Sequence, residues 1–278
     1  MTAAATPHPW TPHFCSSSPL FQPLSPLMAG FSHCDQLPDW QFLQHQLAQQ
    51  HPPINTASNR PLQFVPQTKK SGIYPESYEA RIYLKGEIQT RHNWHDFFNA
   101  LVWFTFPQTK AAINTLHYHQ GLQRHWGHEP HRTALENALT LFDESGAIIL
   151  CSRAEYLRLI QNHDWKTLFW DQRDLLAQHL QCFIFGHGLY EKALSPYPGM
   201  TAQSLLLPVI PEFFQWDLTR QIHHADSYAA QQLTNTAIFR SPKDLQAFPL
   251  LGMPNWDKNN AAEYYDNKKY FREKNRQQ

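Results

Sequence analysis

Two stretches of this 278-residue chain set ionisable side chains into apolar surroundings. Projecting residues 94–106 at about 100° per residue puts Trp94, Phe97, Phe98, Leu101, Phe104 and Thr105 on one side, with Val102, Trp103 and Phe106 on the other. That pattern predicts a buried helix over residues 93–106. His95, Asp96 and Asn99 share the remaining sector near its N-terminal end, where free amides and the helix dipole favour an anion. A buried polar group left unsatisfied costs about 1–3 kcal/mol, and a charge costs more. Each of these side chains therefore needs a partner in the fold or a ligand.

The second stretch carries His187 and Glu191. They fall on the stripe of Leu176, Leu180, Phe183, Ile184 and Leu194 when residues 173–194 are drawn as one long helix. Gly186 and Gly188 flank His187 and would let another element approach its backbone. The expectation is one buried catalytic cluster of His95, Asp96, His187 and Glu191, with the chemistry to hold a divalent metal or to move protons. Arg91, Asn99, Lys110 and Asn114 are the expected substrate-binding groups, and Arg91 and Lys110 suit an anionic substrate.

The activity this points to is a hydrolase, metal-dependent if the four groups bind an ion. In the competing reading the same cluster is a hydrogen-bond network pinning two core helices of a non-catalytic binding or scaffold protein. No H-E-x-x-H, Gly-x-Ser-x-Gly, phosphate loop or dinucleotide fingerprint occurs, so no motif names a cofactor. Asp143 and Glu144, in Asp-Glu-Ser-Gly, read as turn chemistry. His117, His119, His125, His128 and His131 read as solvated loop histidines, and His223, His224 and Asp226 as a group on a surface helix.

These groups need elements to position them. Asp39 caps a short amphipathic helix ending near residue 50, residues 52–77 are loop-like with a short strand at 62–65, and the alternation of Tyr78, Ala80, Ile82 and Leu84 predicts a strand. Pro107 suits the first position of a second helix, over 107–119. Residues 138–142 and 147–150 flank a Gly-ended turn and predict a hairpin. Ser152 with Glu155 forms a capping-box pattern for a helix over 153–161. A strand at 205–209 and a helix capped by Asp217 and running to 233 follow. The whole predicts an α+β fold: an extended arm at 1–38, a helix-rich domain with a small sheet or hairpin at 39–240, and an aromatic-rich tail at 241–278 packed on it.

Composition bounds the partners. Lys plus Arg and Asp plus Glu both number 23, so no global field draws the chain to nucleic acid or to an acidic membrane. A small molecule or a protein is the expected partner. The longest apolar runs fall well short of a membrane span. Cys15, Cys34, Cys151 and Cys182 are widely spaced and read as reduced thiols. The N-terminus lacks the basic and apolar regions of a secretory signal, and the expected location is cytoplasmic.

The run Arg91-His92-Asn93-Trp94-His95-Asp96-Phe97-Phe98-Asn99-Ala100-Leu101-Val102-Trp103, with Phe106-Pro107, Lys110 and Asn114, resembles the bacterial family of domain of unknown function 3025. Leu139 through Ala147, Phe185 through Glu191, and Pro249 through Trp256 with Tyr264-Tyr265-Asp266 resemble it in the same order. The resemblance implies a bacterial protein of one domain and carries no established activity. Two departures from the pattern are Gly188, where a small residue such as Ala is expected, and the density of histidines over 117–131.

Overall fold

Asp39, Asn93, Thr133 and Asp217 each accept a hydrogen bond from an amide in the first turn of a helix: Phe42, Asp96, Glu136 and Arg220 respectively. These caps satisfy amides that no helical carbonyl reaches, and so set where four helices begin. The computed structural model describes residues 8–68, 77–124, 131–258 and 261–274. In chain order the elements are α1 (Trp40–Ala48), β1 (Gln63–Pro66), α2 (Tyr78–Lys85), β2 (Glu87–Thr90), α3 (Trp94–Thr105), α4 (Pro107–Gln123) and α5 (Ala134–Ser145). They continue as β3 (Gly146–Cys151), α6 (Ala154–Asn162), α7 (Arg173–Leu176), β4 (Leu180–Ile184), α8 (His187–Ala193), β5 (Thr201–Pro208), α9 (Leu218–Thr234) and β6 (Gln246–Pro249). The fold is α+β, helix-rich around a small sheet. Among the described residues no helix is long and apolar enough to cross a membrane.

The sheet runs in the order β4-β3-β5-β6, with β3 parallel to β5 and the two outer pairs antiparallel. Every residue of β3 is buried, as befits a strand covered on both faces. A separate parallel pair joins β1 to β2. Helix α3 is buried along nearly its whole length, as its apolar wrap predicts. Its N-terminal turns are covered by residues 8–31, which are wound into 3-10 turns at Phe14–Ser17 and Pro19–Phe31 and not drawn out as an extended arm. Phe14 and Phe21 pack their rings against Trp94 and Phe98, and Trp94 Nε1 donates to the His8 carbonyl. From the tail, Tyr265, Tyr270 and Phe271 enter the core.

Three elements differ from the expectation. Residues 78–85 form a helix, because Glu79 and Lys85 sit at the ends the dipole favours and Gly86, at φ 76°, closes it with a bond from its amide to the Ile82 carbonyl. The predicted hairpin is a helix followed by a strand. Thr133 and Glu136 bond each other's backbone amides in a capping box, so Ala138, Leu139 and Phe142 form the buried stripe of α5 and only the second run, β3, is extended. The long helix predicted over 173–194 is α7, β4 and α8. Its middle, Leu180–Ile184, is taken by pairing with β3, and the chain breaks at Gly186. In addition Ser152 does not cap α6; its hydroxyl lies 3.0 Å from His179 Nδ1.

Candidate active site

The register of β3 against β4 builds the site. Ala147 pairs with Ile184, so the start of β3 lies beside the end of β4. The last turn of α5, which feeds β3, is thereby brought against the first turn of α8, which leaves β4. The amides of Phe185 and Gly186 both donate to the Gly146 carbonyl, at 3.0 and 2.9 Å. Gly186 is required here: a Cβ would lie 2.5–2.6 Å from backbone atoms of Glu144, Ser145 and Gly146. This junction places Asp143 and Glu144 next to His187. Helix α3 then lies across α8, with the Phe98 ring stacked on Tyr190, and delivers His95.

His95 and His187 meet edge to face, ring centroids 4.5 Å apart, with their Nε2 atoms separated by 3.1 Å. Glu144 Oε1 lies 3.5 Å from His187 Nε2 and 3.9 Å from His95 Nε2. Behind each imidazole stands a further carboxylate. Glu191 Oε2 is 3.1 Å from His95 Nδ1, and Asp143 Oδ2 is 3.7 Å from His187 Nδ1. His187 is buried, whereas Glu144, Glu191 and His95 keep 47, 46 and 32% of their side-chain surface exposed. The centre therefore has a closed inner side and an open outer one.

Lys110, reaching in from the first turn of α4, fixes the inner side. Its ammonium donates to Asp143 Oδ1 at 2.6 Å and to Asn99 Oδ1 at 2.9 Å, and Asn99 Nδ2 donates to the Tyr78 hydroxyl. Burial raises the Asp143 carboxyl, but the Lys110 charge, the neighbouring His187 and the Lys110 hydrogen bond outweigh it and hold it below the usual range. The contact with His187 is the first cause of the lowered Glu144 carboxyl, with His95 adding to it against partial burial and Asp143. Both carboxylates are thus ionised at neutral pH.

A cleft of about 300 Å³ opens onto the centre, walled by Tyr78, Asn99, His117, Arg132, Glu144 and His187. Two larger clefts, about 900 and 940 Å³, lie over the C-terminal segment beside His163, Trp165 and Lys268. The one group among the described residues whose His and carboxylate ligand atoms all lie within 4.8 Å of one another is His95, Glu144 and His187, so chemistry and size select different clefts.

The expected residues divide accordingly. His95, His187 and Glu191 converge, although Glu191 serves His95 and not His187. Asp96 does not join them: it is the third residue of α3, and its two oxygens take the Arg91 amide, Nε and Nη2 at 2.6, 3.0 and 2.7 Å. That clamp also commits Arg91 Nε and Nη2 to Asp96. Lys110 is likewise committed, and Asn114 donates both to the backbone carbonyl and to the side chain of Glu79, tying α2 to α4. Asn99 reaches the cleft wall with both ends of its amide engaged. Asp143 and Glu144 occupy the last turn of α5 and are not turn residues. Their spacing signal lay upstream, in the capping box that makes the segment helical. His117 and His119 lie on α4, while His125 and His128 fall outside the described residues. Asp226 is buried and accepts the Gln108 and Thr109 amides at the start of α4, which overturns its reading as part of a surface group.

The family model described as a protein of unknown function (DUF3025) matches residues 62–275. The chain belongs to this family. The match takes in α3, α5 and α8, so all the residues of the centre lie within the family region. No curated protein and no solved structure matches the chain.

Proposed function

We propose that this DUF3025 member is a hydrolase whose water nucleophile is activated at the His95, His187 and Glu144 centre. The observation that carries the reading is convergence with access: two imidazoles and an ionised carboxylate meet, and of the three His187 and Glu144 line an open cleft. A purely structural network gains nothing from leaving Glu144 and Glu191 nearly half exposed, because pairs screened by water contribute little to stability. In the reaction, water gives up a proton to the centre as its oxygen attacks an electrophilic carbon or phosphorus. The bond to the leaving group breaks, and the leaving group takes up a proton. Arg132, whose guanidinium donates to Thr140 Oγ1, and His117 stand on the cleft wall where an anionic part of the substrate would lie. They take the place of Arg91 and Lys110. We place the protein in the cytoplasm and take a small molecule as its partner.

The test is a panel of chromogenic carboxylic esters, phosphate mono- and diesters and aminoacyl amides, assayed on tag-free protein with and without added divalent metals. Turnover of one class, lost on His95→Gln with an unchanged melting temperature, is the expected result. The competing scaffold reading predicts the reverse, in which no class turns over while His187→Ala lowers stability by a few kcal/mol.

A further inference from the structure

The tautomers of the two histidines follow from what stands behind them. A carboxylate can only accept, so Glu191 Oε2 at 3.1 Å requires a hydrogen on His95 Nδ1. His187 Nδ1 is buried with no hydrogen-bonding neighbour in range, and the group facing it is Asp143 Oδ2 at 3.7 Å, which favours a hydrogen there too. With both rings neutral, the two Nε2 atoms then present lone pairs to each other across 3.1 Å beside the Glu144 carboxylate. Three Lewis-basic atoms so close repel unless positive charge lies among them. That charge is either a proton on one Nε2, shared with the other ring and with Glu144, or a metal ion.

From this we infer that His95 Nε2, His187 Nε2 and Glu144 Oε1 form a binding site for one divalent first-row transition ion of the zinc type, with Glu191 and Asp143 orienting the two imidazoles. Donors held at about 2.1 Å from a zinc ion at angles between octahedral and tetrahedral stand roughly 3.0–3.5 Å apart. The observed separations of 3.1, 3.5 and 3.9 Å need only small side-chain adjustment, and Glu144, on the exposed side, is free to make it. Two nitrogens and one oxygen suit zinc, manganese, iron or cobalt better than calcium or magnesium, which prefer all-oxygen shells. A carboxylate on the far nitrogen of each ligating imidazole is the usual second layer of such a centre.

Charge agrees. Lys110 neutralises Asp143, so Glu144 and Glu191 supply the two negative charges that a divalent ion balances. Three protein donors leave coordination positions open, and the cleft adjoins them, which is the form of a catalytic site and not of a structural one.

Protein purified without a His tag, stripped with chelator and titrated calorimetrically with zinc chloride tests this. One equivalent should bind with a rise in melting temperature, and magnesium or calcium chloride at the same concentration should produce neither. Cobalt chloride should give visible d–d absorption that zinc displaces. Glu144→Gln and His95→Gln, both at partly exposed positions, should each weaken zinc binding at least about 100-fold. Glu191→Gln, which keeps all three donors, should weaken it about 10- to 100-fold. Circular dichroism confirms that each variant is folded. No stoichiometric zinc uptake overturns the inference, and so does uptake unchanged in both donor variants, which would assign the metal to other histidines. The ion site and the hydrolytic reading fail separately: zinc bound as described without turnover of any ester or amide removes only the latter.

Discussion

Lys110 is the side chain on which the inner wall of the site most depends. It is 5% exposed, its ammonium is shared between Asp143 and Asn99, and it lies 5.5 Å from the centroid of the Trp103 ring. Lys110→Met keeps the bulk and deletes the charge, leaving the Asp143 carboxylate without its cation. The expected loss is roughly 3 kcal/mol, toward the lower end for a broken buried pair because Asp143 retains some exposure. Urea denaturation at pH 7 measures it. Adding Asp143→Asn to Lys110→Met should recover part of that loss, since no uncompensated charge remains; a double variant as unstable as the single one would contradict this account. At this scale the residue types were legible in advance, but the pairing was not. Asp96 and Glu144 are both acids near a histidine in some projection, and only the Arg91 clamp on one and the exposure of the other separate them.

The junction of α5 with α8 and that of α9 with α4 each hang on one position. Gly186→Ala pushes a methyl group against three backbone atoms that cannot move without disturbing the β3 and β4 register. A loss of about 1–3 kcal/mol is expected in thermal or urea unfolding, together with weakened zinc binding as His187 shifts. Wild-type values of both would show that the junction has slack. At the other junction, burial lifts the Asp226 carboxyl to about 6, despite the amides of Thr109 and Gln108 that favour its anion. Because the folded value lies above the unfolded one, the stabilising contribution of this group is complete below about pH 4 and is lost as pH rises through about 6. The loss amounts to roughly 3 kcal/mol by pH 8. Asp226→Asn does not titrate, so its stability relative to the wild type should improve by about that amount between pH 4 and pH 8. A difference that stays flat with pH would refute the shift.

Across the whole molecule the candidate centre lies where the helical layer meets one end of the sheet. Its four elements come from distant parts of the chain: α3 carries His95, α4 carries Lys110, α5 carries Asp143 and Glu144, and α8 carries His187 and Glu191. The N-terminal 3-10 turns brace α3 from behind through Phe14 and Phe21, with Phe21 also stacked on Tyr190 of α8. Segments outside the site thus hold the helix that delivers His95 against the one that delivers His187.

Features governed by neighbours within one turn were legible in the sequence. The caps at Asp39 and Asp217, the proline start of α4 and the buried wrap of α3 all follow from side chains three or four residues apart, whose geometry a helix sets locally. His95 and His187 do meet as expected, but not by the stripe drawn over residues 173–194: His187 opens α8, and the bonds of the Phe185 and Gly186 amides to Gly146 set it there. The helices α2 and α5 also carry local signals, the Gly86 cap and the Thr133–Glu136 capping box, which compete with the apolar pattern read as strand; tertiary structure decided how the sheet is assembled. Leu180–Ile184 is apolar enough for a helix or a strand, and only pairing with β3 makes it a strand. That pairing, through the contact of Ala147 with Ile184, carries Glu144 to the histidines in place of Asp96. No local rule contains it, because the register is chosen by which hydrophobic faces the completed sheet can bury.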